Sequence, residues 1–173
     1  MKQISLVIAL VALVGCNTPC PKEVRIPADV AKIAAMDLGL EEGQLTLERA
    51  KVVQSLNLSV AGLTTVCFLD RFPSLKELRL DSNSIIDISP LANLTNLESL
   101  ELQLNNVKSL APLSDLKKLK YLSLRKNKIR SLKPLHQLHF LERLYVFGNP
   151  LGKGEISALR KALPSCKIIT EEE

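Results

Sequence analysis

Residues 75–96 read LKELRLDSNSIIDISPLANLTN, and their spacing of apolar residues recurs at 97–118 and again at 119–140. The period is 22 residues, with aliphatic residues at positions 1, 4, 6, 11, 14, 17 and 20, an Asn at position 9 and a Pro at position 16. A fourth unit starts at Leu141 and diverges after Leu151. Counting outward gives a degenerate first unit at Val53, with Ala61 in place of Asn, and a sixth start at Leu163. Six starts on one period predict a repeat architecture.

Each part of the repeat has a physical role. The Leu-x-x-Leu-x-Leu segment predicts a short strand whose alternate side chains point into a core. Neighbouring strands are expected to stack about 4.8 Å apart as a parallel sheet. The Asn side chain is expected to bond unpaired backbone groups of adjacent turns, and Pro-Leu starts a 3₁₀-like return segment. The sequence thus predicts an α/β fold, a right-handed β-α superhelix whose concave parallel sheet has about six strands.

The repeat resembles the leucine-rich repeat family. It is most similar to the 22-residue class of internalin-like bacterial proteins, whose later half carries an Ile-x-Pro-Leu turn. The resemblance covers roughly residues 53 to 170, and the stretch from Ile26-Pro27 to Leu47 is similar to the helical cap of that group. It implies a leucine-rich repeat solenoid with short 3₁₀ turns on the convex side and helical caps at both ends.

The N-terminus reads as an export signal. Lys2 is followed by an apolar run from Ile4 to Val14, too short to span a bilayer. The junction Leu13-Val14-Gly15-Cys16 resembles the lipobox of bacterial lipoproteins, which implies cleavage before Cys16 and acylation of that residue as a membrane anchor. The alternative is ordinary secretion, with Cys16 a plain cysteine. Asn17 is not the Asp associated with inner-membrane retention in some bacteria, which favours the outer membrane.

The predicted organisation has five parts. They are a signal peptide at 1–15, a lipidated tether at 16–26, a helical N-terminal cap at 27–52, leucine-rich repeats at 53–152, and a C-terminal cap helix, last strand and acidic tail at 153–173. Asp29 is predicted to cap the first helix and Gly39 to end it, and Thr46 to cap a second turn. The C-terminal helix is predicted from Glu155 to Leu163.

The cysteines suggest one disulfide candidate. Cys67 takes a partly exposed repeat position, whereas Cys166 takes the position of Leu144 and is expected to be buried. Five strand steps, about 24 Å, separate Cys67 from Cys166, too far for a bridge. Cys20 with Cys67 is the candidate pair in an oxidising exported compartment, and the alternative is two free thiols. The cysteines show no metal-ligand spacing.

No catalytic motif is evident. The sequence lacks a glycine-rich phosphate loop, Gly-x-Ser-x-Gly and His-Glu-x-x-His. The two histidines, His136 and His139, are three residues apart, a weak zinc or base hypothesis, but both fall at polar positions of the repeat and are better interpreted as surface residues. We expect no enzymatic activity, no cofactor and no metal.

The outward side chains of the strands form three columns across the concave sheet. Three of the six aromatic residues lie in these columns, and aromatic residues and Arg most often dominate binding energy. The predicted hot spot comprises Tyr121, Arg125, Arg143, Tyr145 and Phe147. Glu77, Arg79, Asp81 and Glu101 are predicted to form a mixed-charge flank that orients a protein or envelope ligand. The alternative is that these aromatic residues are ordinary sheet residues.

A basic run in the third repeat suggests a second function. Eight basic residues occur with no acid between them: Lys117, Lys118, Lys120, Arg125, Lys126, Lys128, Arg130 and Lys133. They are either a solvated face or a surface for anionic lipid or polysaccharide, which would make the protein a structural envelope component. Nucleic acid fits the formal charge of +5 but not an exported lipoprotein. The protein is expected to be a monomer.

Overall fold

The computed structural model describes residues 26–41 and 43–171. The predicted signal peptide, the lipidated Cys16, most of the tether and Cys20 therefore lie outside the described residues. Within the described ranges, every helix is too short or too polar to cross a bilayer.

The repeats form one parallel sheet of six strands in sequence order. The strands are β1 (Ser55–Asn57), β2 (Glu77–Arg79), β3 (Ser99–Glu101), β4 (Tyr121–Ser123), β5 (Arg143–Tyr145) and β6 (Lys167–Ile169). The middle residue of each strand stands beside the middle residue of the next, and the first five of these are buried Leu. This interior row confirms the predicted fold: Leu56, Leu78, Leu100, Leu122, Leu144 and Ile168.

The return segments behind the sheet are short 3₁₀ helices, as the Pro-Leu pairs predict. They span Cys67–Arg71, Ser89–Asn93, Ala111–Leu113 and Lys133–Leu135, and the last three carry Pro in their first turn. Proline is tolerated there because its missing N–H has no helical partner to lose.

A ladder of buried or half-buried Asn side chains joins the turns. Asn127 donates through Nδ2 to the carbonyls of Leu102, Leu124 and Arg125, at 2.8, 3.1 and 3.3 Å, and its Oδ1 accepts from Val107 N at 3.0 Å. Asn83, Asn105 and Asn149 bond in the same way. This confirms that the repeated Asn satisfies backbone groups of adjacent turns.

Helices protect both ends of the sheet. The N-terminal cap contains α1 (Ala28–Asp37) and α2 (Leu47–Val52), and the C-terminal cap contains α3 (Glu155–Ala162). Thr46 caps α2 as predicted, because its Oγ1 accepts from Arg49 N at 3.3 Å. The predicted N-cap of α1 was wrong, because Pro27 occupies that position and Asp29 lies in the first turn of the helix. There the Asp29 carboxylate still favours the positive end of the helix dipole.

The register of the last strand also differs from the prediction. Leu144 stands beside Ile168, 24 positions later, and not beside Cys166. The cause is α3, which replaces the 3₁₀ return segment and lengthens the path to β6 by two residues. Cys166 therefore falls just before β6 and is only partly buried.

The residue before each Asn position has a left-handed backbone. Val60, Ser82, Leu104 and Lys126 have φ between 52° and 57°, and Gly148 has φ 72°. A left-handed conformation costs an L-residue about 1–2 kcal/mol, and a β-branched residue is the least suited to it. Val60 is therefore the most strained of the five.

Val60→Gly is expected to raise the free energy of unfolding by about 0.5–1 kcal/mol, because glycine removes the strain at a lower entropic cost. The Val60 side chain is 75% exposed, so little packing is lost. The measurement is urea unfolding followed by circular dichroism. Val52→Gly is the matched control, since Val52 is 71% exposed but helical, and it should destabilise by a similar amount. A loss of stability in both variants would contradict the strain at Val60.

Candidate functional site

The concave face of the sheet presents the predicted columns. The pairing places Ser55, Glu77, Ser99, Tyr121 and Arg143 side by side in one row and Asn57, Arg79, Glu101, Ser123 and Tyr145 in another. β6 adds Lys167 to the first row and Ile169 to the second. Sequence reasoning missed these two additions because it counted 22 residues, and not 24, from β5.

Aromatic rings and one guanidinium form a compact cluster on β4, β5 and the residues that follow them. The rings of Tyr121 and Tyr145 lie 5.7 Å apart between centroids, tilted by 50°. The Arg125 guanidinium carbon lies 5.6 Å from the Tyr145 centroid and 5.5 Å from the Phe147 centroid. These are distances for aromatic and cation–π contact. With Arg143 beside Tyr121, we call Tyr121, Arg125, Arg143, Tyr145 and Phe147 the aromatic–arginine cluster.

The floor of this cluster holds polar atoms that lack partners. Ser123 is fully buried and Gln103 is 8% exposed. Ser123 Oγ, Gln103 Oε1 and Arg125 Nε are each buried without a hydrogen-bond partner among the described residues. Ser123 and Gln103 occupy the same outward repeat positions as Tyr145 and Arg125, respectively, but sequence reasoning omitted them from the site. The signal was their position in outward columns next to Arg125.

The predicted mixed-charge flank is partly paired within itself. Arg79 Nε lies 3.2 Å from Glu101 Oε1, and Glu101 Oε2 accepts from Gln103 Nε2 at 2.9 Å. Ser55 Oγ donates to Glu77 Oε2 at 3.3 Å, and Ser59 Oγ donates to Asp81. Glu77 and Asp81 therefore bond to hydroxyl groups, and neither pairs with a cation in the part of the chain that the structure describes, which leaves this end of the concave face acidic.

Asp37 of α1 joins the acidic end, which sequence reasoning did not anticipate. Its Oδ2 accepts from Asn57 N at 2.9 Å and so satisfies a donor on the edge strand β1. Asp37 also lines a polar cavity of about 190 Å³ together with Ser55, Asn57, Glu77, Arg79 and Ser99. Such a pairing blunts an edge that would otherwise recruit another strand.

The pKa of the Tyr121 phenol is raised above its ordinary value. Burial raises the pKa of the Tyr121 phenol, and the negative charge of Glu101 raises it further. Its hydroxyl therefore stays protonated at neutral pH and can donate a hydrogen bond to a ligand.

Comparisons with known proteins agree with this geometry. Residues 73–118 match the family model described as leucine-rich repeats in two copies. The fold is a leucine-rich repeat solenoid. No curated protein matches the sequence. Repeat solenoids of this kind generally serve as binding scaffolds and not as enzymes.

Three solved structures share the solenoid fold. An internalin (inlF) of Listeria monocytogenes has a TM-score of 0.67 at 20% identity, covering 82% of this chain and 55% of that one. Internalin C2 of the same species has a TM-score of 0.51 at 22% identity, covering 81% of each chain. A leucine-rich repeat protein of Leptospira interrogans has a TM-score of 0.54 at 27% identity. That match covers 70% of this chain and 38% of that one. The chain thus spans about half of the first internalin.

The residues of the basic run make different sets of contacts. Lys120 lies 2.7 Å from Glu98, and this hydrogen-bonded pair lowers the pKa of the Glu98 carboxyl. Lys118 donates to Asn96 Oδ1 at 2.8 Å, and Lys117 to the Ser114 carbonyl at 2.6 Å. Arg125 belongs to the aromatic–arginine cluster. The later residues of the run are exposed and follow β4: Lys126, Lys128, Arg130 and Lys133. Lys126 has an interaction of its own.

Among the described cysteines and histidines, Cys166 and His139 line a common cavity of about 220 Å³. Cys67 is disulfide-bonded. Cys166 is free, and the predicted pairing of Cys67 with Cys20 falls outside the described residues and stays a prediction. Burial raises the pKa of the Cys166 thiol to about 11, so it is a poor nucleophile at neutral pH. His139 is exposed and His136 half-buried. The described ranges hold no group of three His, Cys, Asp or Glu side chains that could bind a metal ion.

Proposed function

We propose that this protein is a non-enzymatic binding module, held at a bacterial membrane by lipid on Cys16, that engages a protein or envelope ligand through its concave face. The lipobox-like junction at Leu13 to Cys16 supports the anchor, and Asn17 favours the outer membrane. Several acyl chains make such an anchor stable, because each buried CH₂ adds about 0.8 kcal/mol.

The aromatic–arginine cluster is the observation that carries the binding proposal. Tyr and Arg are the residue types most enriched among binding hot spots, and hot spots lie near the centre of an interface. The rings of Tyr121 and Tyr145 contact each other, and Arg125 contacts the rings of Tyr145 and Phe147. Beneath the cluster, the buried Ser123 Oγ and Gln103 Oε1 lack partners among the described residues, which is a cost to the fold.

Partner capture tests this proposal. The full-length protein is cross-linked in its native envelope, and the captured partner is quantified for the double variant Tyr145→Ala/Phe147→Ala. Truncating one hot-spot residue typically costs at least 2 kcal/mol, so we expect capture to weaken by about 30-fold or more. Phe140→Ala is the matched control, because Phe140 is 68% exposed and lies outside the columns. Equal capture by all three proteins, with unfolding free energies unchanged, would rule out the concave site.

A second candidate function is a structural envelope component that associates with anionic lipid or polysaccharide. The exposed basic group of Lys126, Lys128, Arg130 and Lys133 supports it. This candidate gains support if the concave substitutions leave partner capture unchanged while the protein binds vesicles that contain phosphatidylglycerol. Its binding must then weaken as salt is added.

A further inference from the structure

We propose that the concave face selects a protein segment of mixed charge, with an acidic side chain at Arg125 and Arg143 and a basic side chain at the carboxylates of Glu77 and Asp81. This inference names the ligand chemistry of the proposed binding face and rests on that proposed function. It follows from how the charges are distributed along the sheet.

The outward columns divide into an acidic half and a basic half. From β1 to β3 they hold three carboxylates and one guanidinium, a formal charge of −2: Glu77, Arg79, Asp81 and Glu101. Asp37 adds a further carboxylate at this end. From β4 to β6 they hold Arg125, Arg143 and Lys167 and no carboxylate, a formal charge of +3. The two acids that the chain carries between β4 and β6, Glu142 and Glu155, lie outside the columns.

The two arginines of the basic half have no carboxylate to pair with. Within the described residues, neither Arg125 nor Arg143 lies within ion-pair distance of an acid, whereas Arg79 pairs with Glu101 at 3.2 Å. Arg125 Nε is buried and makes no hydrogen bond. Arg143 stands beside Lys167, a like charge that disfavours this arrangement. Lys167 has an interaction of its own, so the argument uses the arginines. Arg125 and Arg143 would both be stabilised by an anionic group of a ligand, and a guanidinium can form two parallel hydrogen bonds with a carboxylate.

The two halves are close enough for one segment to span both. β2 and β4 are two strand steps apart, and β2 and β5 are three, which is about 10–14 Å at 4.8 Å per step. An extended chain rises about 3.3 Å per residue, so three or four residues bridge the acidic and basic halves. The rings of Tyr121, Tyr145 and Phe147 lie in the basic half and offer an apolar wall beside the bound acid.

The same charge division disfavours a uniform polyanion such as an acidic polysaccharide. A polyanion bound at the arginines would also place negative charges near Glu77 and Asp81. That repulsion would be only partly screened, because the separations are comparable with the Debye length of about 8–10 Å. Like-charge juxtaposition of this kind is how interfaces reject wrong partners. A neutral polymer would leave both arginines without an anion. A protein segment can place opposite charges a few residues apart, and so it fits both halves.

Labelled synthetic peptides of equal length test this inference on the full-length protein. The first peptide carries two Lys on one side of an aromatic residue and two Glu on the other. The second carries four Glu and the third four Lys around the same aromatic residue. Dextran sulfate serves as the uniform polyanion. Fluorescence anisotropy is expected to show that the mixed-charge peptide binds about tenfold more tightly than either single-charge peptide. The preference over the all-Lys peptide should disappear in Arg125→Gln/Arg143→Gln, because that peptide lacks only the acidic side chains that the two arginines would bind.

Arg49→Gln/Arg160→Gln is the matched control, because it makes the same charge change at two exposed residues on α2 and α3, and it should keep the preference. The inference fails if the all-Glu peptide or dextran sulfate binds as tightly as the mixed-charge peptide, or if no peptide binds. Such a failure leaves the proposed function standing if Tyr145→Ala/Phe147→Ala still loses the captured partner. Unchanged capture in that aromatic variant would mean that the proposed function itself is wrong.

Discussion

Asn127→Ala is expected to lower the free energy of unfolding by about 3–5 kcal/mol, because it leaves several buried backbone groups without partners at once. Asn127 is 2% exposed. Its side chain donates to carbonyls of two different repeats and accepts from the backbone N–H of Val107. Alanine supplies no hydrogen bond, and water has no access to the freed groups. The measurement is urea unfolding followed by circular dichroism, analysed for both midpoint and slope.

Asn93→Ala is the matched control, because Asn93 is exposed at the end of a 3₁₀ segment. Its substitution should change stability by less than about 0.5 kcal/mol. A similar small effect of Asn127→Ala would mean that the ladder contributes little to stability. The repeated Asn would then have to be explained by the geometry of the turn alone.

The repeated part of the fold could be predicted because one physical requirement recurs in every turn. A buried Leu in the middle of each strand and an Asn after it are needed wherever one turn stacks on the next. The row from Leu56 to Leu144 and the ladder from Asn83 to Asn149 therefore follow from the period alone. The 3₁₀ segments follow from the Pro-Leu pairs for the same reason.

The ends of the fold were less predictable because no repeat constrains them. The helix α3 changes the path length between β5 and β6, so Ile168 takes the place that the period assigns to Cys166. At the other end, Pro27 occupies the cap assigned to Asp29. In both places local sequence decides the geometry, and a rule taken from the central repeats no longer applies.

The candidate site was predicted in composition but not in detail. The columns follow from the period, so Tyr121, Tyr145 and Arg125 could be grouped in advance. Contact distances among them, and the missing partners of Ser123 and Gln103, depend on side-chain rotamers that no sequence pattern encodes. The basic run shows that residues adjacent in sequence can make contacts in different repeats. Continuity in sequence suggested one surface, but Lys120 pairs with Glu98 of the preceding repeat while Arg125 faces the concave side.

Leu122→Ala is expected to lower the free energy of unfolding by about 3–5 kcal/mol, because the cavity that it creates adds to the lost transfer free energy of the side chain. Leu122 is fully buried at the centre of the sheet, between Leu100 and Leu144. A repeat solenoid is stabilised by contacts between neighbouring turns, so a cavity here weakens the interfaces on both sides of β4. Urea unfolding gives the difference directly.

Leu122→Met distinguishes the effect of the cavity on stability from the effect of replacing leucine by another apolar residue. Methionine conserves most of the volume and should cost less than about 1.5 kcal/mol. A difference of about 2 kcal/mol between the two variants is therefore expected from packing alone. If both variants unfold at the same urea concentration as the unsubstituted protein, the row of central Leu residues is not the structural core. The aromatic–arginine cluster on the opposite face of β4 would then have no rigid support for binding.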